Sequence, residues 1–287
     1  MLGAQGVASV YMLAILTLLV VGFSASIQTG QRPAVLPDVN IKYIAVGNEV
    51  PRDDKPRDAL SAAGLDHIKV STAVEMSVVA GLPLPSGSAF ADPSIMGPIV
   101  KFLASNGAPL LANVYPYYAY KNNDHIDLNF VLFQPSSTTI DDNGHTYTNL
   151  FDAMVDSIYS AMEKVGEPGV AIGWPSAGDR GASKDGARVY NQNLINHVGK
   201  GTPKRPGALE TYIFTMFDEN QKKGDAIEKH FGLFNPDKSP VYSINFSGTS
   251  DSALQPQPSV GWASRPVFYA VVIVGLSLVL VTWPVSR

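Results

Sequence analysis

Cysteine is absent from this sequence: none of its 287 residues is one. A chain without cysteine has no disulfides, no zinc–thiolate site and no thiol nucleophile. Charge is also sparse, at 16% of the residues, and the net charge of −4 excludes the basic surface of a nucleic-acid-binding protein. The five histidines are scattered without metal-motif spacing, so we predict neither a metal nor another cofactor.

Apolar residues make up 45% of the chain, which is enough for one large core. Apolar runs that suit strands alternate with segments of helical periodicity, and this alternation predicts parallel βα units. Strands are predicted at residues 41–50, 67–72, 110–114 and 209–217, and helices near 59–63, from 93 to before Gly107, and at 149–165 and 183–198.

The N-terminal end has the pattern of a secretory signal peptide. Residues 11–21 are an apolar run, and small residues follow it up to Ser26. We predict a signal peptide at 1–26 with cleavage near Ser26. The alternative, a membrane anchor, is weaker because the run is short for a span.

The C-terminal end is apolar as well. Residues 267–283 carry no charge, and a polar spacer at 247–266 precedes them. Small residues, a spacer and a terminal apolar tail together predict a signal for a glycolipid (GPI) anchor, which would make the membrane a partner. The competing interpretation of 267–287 is a short transmembrane helix.

The stretch at 41–50 predicts a strand buried on both faces that is broken at Gly47. Asn48 and Glu49 stand at its carboxyl end, which is the catalytic edge of a parallel sheet or barrel. Partial desolvation there can raise the pKa of a carboxyl until it donates a proton. The alternative is a solvated loop glutamate.

Together with this stretch, five further segments resemble plant glycoside hydrolase family 17, the β-1,3-glucanases. The resemblance runs from about Leu36 to about Phe246. The segments that carry it are Tyr-Ile-Ala-Val-Gly-Asn-Glu at 43–49, the aromatic cluster at 115–120, Thr-Asn-Leu-Phe-Asp-Ala at 148–153, Gly-Trp-Pro-Ser-Ala-Gly at 173–178, Phe-Asp-Glu-Asn-Gln-Lys at 217–222 and Phe-Gly-Leu-Phe-Asn-Pro at 231–236.

The resemblance implies an α/β fold, the (β/α)8 TIM barrel, with the acid/base on the fourth strand. Such a barrel takes roughly 250 residues. The strand that ends at Glu49 begins soon after the signal peptide, which leaves no room for three βα units. We therefore expect an N-terminally incomplete barrel over 36–246 that retains strands four to eight. Five strands alone would have two open edges and an uncovered face.

The resemblance also assigns the chemistry. Glu49 is the implied proton donor of a retaining mechanism, and Asn48 contacts the sugar hydroxyl next to the anomeric centre. The family nucleophile is a glutamate two residues before the position of Gly173, where this chain has Ala171 in a strand that we expect to be largely deleted. An alanine cannot form a glycosyl-enzyme intermediate.

Substrate-binding residues follow from the same resemblance. Glu219, Lys222 and Glu228 match cleft residues, with Glu219 on the same rim as Glu49, and Tyr117 and Phe217 are interpreted as sugar-stacking platforms. Independently of the family, the sequon Asn245-Phe246-Ser247 predicts glycosylation at Asn245 in a secreted chain.

Two classes of function remain open at this point. The first is endo-hydrolysis of cell-wall β-1,3-glucan with retention, impaired by the missing nucleophile. The alternative is a non-catalytic β-glucan-binding cell-surface protein, or a truncated isoform without function. The enzyme hypothesis and the binding-protein hypothesis both place the chain in the secretory pathway and at the cell surface or wall.

Overall fold

The computed structural model describes residues 40–48, 69–81, 84–164, 168–172, 176–246, 268–274 and 277–283. Several predicted features lie outside these ranges: the signal peptide at 1–26, Glu49, the helix near 59–63, the segment 173–175 and the spacer at 247–266.

Strands and helices alternate through the middle of the chain. The strands are β1 Asn40–Asn48, β2 Lys69–Glu75, β3 Val79–Ala80, β4 Ala89–Phe90, β5 Leu110–Val114, β6 Ile140–Asp142, β7 His145–Tyr147, β8 Pro168–Ile172, β9 Thr211–Ile213, β10 Phe268–Val274 and β11 Ser277–Trp283. The helices are α1 Pro93–Ser105, α2 Pro116–Asn122, α3 Leu128–Val131, α4 Leu150–Glu163 and α5 Lys184–His197, and short 3-10 turns span Met76–Val78, Pro85–Gly87 and Ala226–Lys229.

A seven-stranded sheet with the order β10-β11-β1-β2-β5-β8-β9 organises the molecule. From β1 to β9 each neighbouring pair is parallel, as the alternation of strands and helices predicted. The expectation that the strand before Gly173 is largely deleted is wrong, because β8 keeps five residues and pairs along all of them with β5. Two short antiparallel ribbons, β3–β4 and β6–β7, lie outside this sheet.

The three longest helices begin at capping side chains. At α1, the carboxylate of Asp92 accepts a hydrogen bond from the Ser94 N–H. At α4, the amide oxygen of Asn149 accepts one from the Asp152 N–H. At α5, the hydroxyl of Ser183 accepts one from the Gly186 N–H. Each cap satisfies one main-chain donor that the first helical turn leaves unpaired. The predicted helix starts are therefore confirmed for α1, α4 and α5.

Helix α4 forms the centre of the main core. Its residues from Phe151 to Met162 are all buried, including two aspartates. Asp152 pairs with His197 Nε2 at 2.7 Å, and Asp156 accepts from the Lys204 N–H at 2.9 Å and from the Thr202 hydroxyl. These partners offset the desolvation of the two carboxylates inside the core.

The sheet has a second buried face. Tyr43, Ala45, Ala73, Leu111 and Tyr212 form a smaller core cluster there. The sheet curls, because the Tyr43 hydroxyl of β1 donates to Glu210, next to β9, at 3.2 Å, and β10 lies beside β9. The expectation of an uncovered face is thus wrong for the described residues.

The tail strands β10 and β11 form an antiparallel hairpin that pairs with β1, with Ile41 opposite Val281 and Ile44 opposite Val279. The β-branched residues of this tail suit a pleated strand, and the β1 edge offers unpaired main-chain groups. The helical interpretation of the tail is therefore wrong over 268–274 and 277–283, and so is the expected open edge at β1. No helix in the described ranges has the length and hydrophobicity needed to cross a bilayer.

Candidate active site

The site lies where the parallel strands end. Because β1, β2, β5, β8 and β9 run in one direction, the segments that follow them meet at a single edge of the sheet. Helix α2 follows β5, the loop 176–182 comes shortly after β8, and the segment 214–230 follows β9. These three segments bring together residues that are far apart in the sequence.

Lys222 is the centre of a charged cluster. Its Nζ donates to Glu219 Oε2 at 3.1 Å and to Glu228 Oε2 at 3.0 Å, and it lies 5.4 Å from the centroid of the Phe214 ring. About a third of each of the three side chains remains exposed. The structure therefore brings together the three charged residues that were predicted to line the cleft.

Tyr118 joins this cluster from helix α2. Its hydroxyl donates to Glu228 Oε1 at 2.6 Å, so both carboxylate oxygens of Glu228 have a donor. The Tyr118 ring packs edge-on against Tyr115. Sequence reasoning missed this residue, because adjacent tyrosines on a short helix give no periodicity to tell which one faces the cleft.

The donors around Glu228 set its charge state. Burial alone would raise the pKa of the Glu228 carboxyl, but the bonds from Tyr118 and Lys222 hold it below its ordinary value. Burial likewise opposes the charge on Lys222, yet the two carboxylates keep its pKa above the ordinary value. The pKa of Tyr118 is raised, first by burial and then by Glu228. Glu228 is thus an ionised acceptor at neutral pH and not a proton donor.

The prediction that Tyr117 stacks on a sugar is wrong, because this side chain has no exposed surface. Its ring lies in the core, and its hydroxyl donates to the Arg180 carbonyl at 2.9 Å. Burial, with smaller effects of Asp179 and Tyr120, raises the pKa of Tyr117 to about 12. Phe217 is half-buried and packs against Phe234, so its role as a platform stays a prediction.

Asn48 is the last residue of β1, and Glu49 follows it outside the described residues. In the adjoining strands, Ala171 of β8 lies opposite Asn113 of β5 on one side and opposite Tyr212 of β9 on the other. Position 171 therefore sits within the parallel sheet, one residue before β8 ends. The roles assigned to Asn48, Glu49 and position 171 stay predictions.

Two ion pairs connect the loop after β8 with the region of helix α2. Lys121 pairs with Asp179, and Arg180 pairs with Asp124 and lies 4.8 Å from the centroid of the Tyr120 ring. The hydrogen bond from Lys121 is the main reason that the pKa of Asp179 lies below its ordinary value. The partners are more than fifty residues apart in the chain, and no sequence pattern indicated them.

In the described ranges, no group of three or more metal-binding side chains is placed to hold an ion. The carboxyl edge of this curled parallel sheet carries paired carboxylates, a lysine and aromatic rings. Such an arrangement is typical of barrel-type glycoside hydrolases.

The family model described as glycosyl hydrolases family 17 matches residues 27–246. Glucan endo-1,3-beta-glucosidase GII of Hordeum vulgare is 56% identical over 236 residues, which cover 77% of this chain and 70% of that protein.

Solved structures agree with this match. CJP38, a beta-1,3-glucanase and allergen of Cryptomeria japonica pollen, superposes with a TM-score of 0.68 at 47% identity, covering 74% of each chain. One of two plant beta-glucan endohydrolases with distinct substrate specificities gives a TM-score of 0.71 at 42% identity, covering 82% of this chain and 81% of its own. The chain belongs to glycosyl hydrolase family 17, and its fold is of the (β/α)8 type.

Proposed function

We propose that this protein binds β-1,3-glucan at the carboxyl edge of its sheet and hydrolyses it only slowly. The observation that carries the proposal is the cluster in which Lys222 bridges Glu219 and Glu228. Ionised carboxylates and a lysine offer acceptors and donors to sugar hydroxyls. Membership of family 17 and the printed names of the relatives support β-1,3-glucan as the substrate.

The proposed reaction is a retaining double displacement in which Glu49 protonates the leaving oxygen and Asn48 contacts the neighbouring hydroxyl. A retaining pair needs a second carboxylate roughly 5–5.5 Å from the first. Position 171, where the family has its nucleophile, is alanine in this chain. Without a nucleophile the covalent intermediate cannot form, so slow hydrolysis follows.

Reducing-sugar release from laminarin tests this proposal. The unmodified chain should be slow, and Ala171→Glu should raise kcat at least about 10³-fold, since losing a covalent nucleophile costs many powers of ten. Ala171→Gln has the same size without the charge and should stay slow. Fast turnover of the unmodified chain that Glu49→Gln abolishes would show that the nucleophile is another residue.

Azide provides a second test of the same site. It can attack the anomeric carbon where no carboxylate stands, while the departing glucan oxygen takes the proton of Glu49. One displacement inverts the centre, so the product from a β-linked substrate should be an α-glucosyl azide. Production of this azide by the unmodified chain, lost in Glu49→Gln, would support an intact acid and cleft.

A non-catalytic β-glucan-binding protein is the second candidate, and Ala171 is the observation that favours it. Tight laminarin binding without turnover, even with azide, would select this candidate. A folded chain that shows no laminarin binding and no turnover would exclude both functions.

For the fold, we propose that β1, β2, β5, β8 and β9 correspond to strands four to eight of the family barrel. The order of the family segments along the chain supports this numbering, because the segment 43–49 begins within β1 and the segment 217–222 follows β9.

For the location, we propose that the signal peptide at 1–26 directs the chain to the secretory pathway and that the tail at 267–287 is a signal that is cleaved off and replaced by a GPI lipid, which holds the chain at the cell surface. Asn245, exposed on the surface, is the proposed glycosylation site, and its main-chain N–H donates to Gln192 at 2.8 Å. Release of the protein from cells by a GPI-specific phospholipase would support the anchor. Retention after that treatment would count against it.

A further inference from the structure

Glu228 stands on a single 3-10 turn, Ala226–Lys229, which we call the Glu228 turn. The turn holds itself together by two main-chain bonds, from the Glu228 N–H to Asp225 and from the His230 N–H to Ile227, each 3.1 Å long. So short an element has little rigidity of its own. The position of the Glu228 carboxylate therefore depends on the segment that packs against the turn.

The loop 176–182 lies behind the Glu228 turn. Both the N–H and the hydroxyl of Ser176 donate to the His230 carbonyl, at 2.6 and 3.0 Å. Two residues later, the main chain of Gly178 lies against the main chain of buried Ile227. The loop thus contacts the turn at Ile227 and just beyond its last residue.

The contact at Gly178 leaves no room for a side chain. A Cβ at this position would lie 2.6 Å from Ile227 Cα and 2.7 Å from Ile227 N. Both neighbours are main-chain atoms, so the clash cannot be relieved by a side-chain rotation. The φ of +112° at Gly178 adds a second requirement for glycine.

We propose that Gly178 is a positioning residue for Glu228. Its missing side chain lets the Glu228 turn approach the loop 176–182 closely enough for the Glu228 carboxylate to reach both Tyr118 and Lys222. The consequence for glucan binding rests on the proposed function of this cluster, whereas the placement of Glu228 does not. A Cβ at 178 would lie 2.6 Å from Ile227 Cα, so restoring an ordinary contact of about 3.5 Å would push the turn by roughly 0.9 Å. A shift of that size would lengthen the 2.6 Å bond from Tyr118 to Glu228 beyond the usual range.

Gly178→Ala in the full chain tests the proposal, and Gly207→Ala is the matched control. Gly207 has a φ of +114°, so both variants place an alanine at nearly the same positive φ, but a Cβ at 207 would meet nothing within 4 Å. The first readout is the titration of the Glu228 carboxyl by ¹³C NMR, with its signal identified by its loss in Glu228→Gln. The second is the Kd of laminarihexaose by calorimetry.

The expected result is a rise in the pKa of Glu228 in Gly178→Ala and no change in Gly207→Ala. Mere destabilisation of a folded chain would not move this titration. Laminarihexaose should bind about tenfold more weakly to Gly178→Ala than to the control. If the unmodified chain does not bind laminarihexaose, the proposed function fails, while the titration still decides on the positioning role.

An unchanged Glu228 titration in folded Gly178→Ala would overturn the proposal. If that variant does not fold, Ser176→Ala replaces it, because this change removes only the hydroxyl bond to His230. A smaller rise in the pKa of Glu228 is then expected. No rise would overturn the proposal as well.

Discussion

At the residue scale, one carboxylate receives two donors of different kinds. Glu228 accepts from the Tyr118 hydroxyl at one oxygen and from the Lys222 ammonium at the other. The two donors come from segments that follow different strands. Removing either donor alone should therefore separate what the phenol contributes from what the cation contributes.

Tyr118→Phe keeps the ring and removes the hydroxyl. We expect the free energy of unfolding at pH 7 to fall by about 1 kcal/mol, which is below the roughly 1.5–3 kcal/mol of a hydrogen bond to a charged group because Glu228 is partly exposed. The folded-state pKa of Glu228 lies below the ordinary value of 4.5, so this stabilisation is present above that pH and lost as the pH falls through the folded pKa. Denaturant unfolding from pH 7 to pH 3 measures it.

The matched control is Tyr120→Phe, whose ring lies beside Arg180. In Tyr120→Phe, any decrease in the free energy of unfolding should be the same at pH 7 and at pH 3. A Tyr118→Phe deficit that stays constant from pH 7 to pH 3 would contradict the assignment to ionised Glu228.

Lys222→Met removes the cation between Glu219 and Glu228. With two carboxylates left unbalanced, we expect laminarihexaose to bind roughly tenfold more weakly, since a charged hydrogen-bond donor is lost from the cleft. Calorimetry on Lys223→Met supplies the control, because Lys223 is exposed and carries the same charge. Equal losses in both variants would point to net charge rather than to the cluster.

Residue roles could be predicted only in part from the sequence. Glu219, Lys222 and Glu228 lie within ten residues of one another, and the family resemblance indicated them. Tyr117 and Tyr118 are adjacent, and which one is buried depends on the direction in which helix α2 leaves β5. Tyr117 contacts the loop 176–182, which is distant in the sequence, through the bond from its hydroxyl to the Arg180 carbonyl.

At the element scale, the helix caps show how local signals succeed. Asn149 and Ser183 both precede helices at the predicted positions, because their side chains compete for main-chain donors in any context.

The tail hairpin is the opposite case. Its apolar residues suit a strand, a membrane helix or a lipid-anchor signal equally, and only the nearby edge of β1 selects the strand.

Asn149→Ala should destabilise the protein more than Ser183→Ala. Buried Asn149 accepts from the Asp152 N–H and also donates to Asp152 Oδ2, both at 2.8 Å, so its loss removes two buried hydrogen bonds, while Asp152 Oδ1 keeps its contact with His197. We expect a loss of about 2 kcal/mol at Asn149 and about 1 kcal/mol at exposed Ser183. Thermal and denaturant unfolding of both variants measure the difference, and equal losses would contradict the role given to Asp152.

At the scale of the whole molecule, the two ends of the parallel sheet have different neighbours. On the β1 side the chain's own tail continues the sheet through β11 and β10, and the curl of the sheet brings β10 beside β9. The same tail carries the predicted lipid-anchor signal. A GPI signal tail is cleaved off when the lipid is joined to the new C-terminus upstream of it, so the anchored protein would have no tail to pair with β1. Removing the tail should therefore leave the edge of β1 unpaired.

Hydrogen exchange on the full chain and on a chain lacking 267–287 tests this pairing. Between Asn40 and Asn48, the amides that bond to β11 should exchange faster in the shortened chain, because their partner strand is gone. The amides of β5 form an internal control, since β2 and β8 flank that strand in both chains. Val279→Pro should reproduce the effect, because β11 lies between two strands and proline removes a ladder donor there. If the amides of β1 are equally protected in all three chains, the tail does not hold this edge in solution.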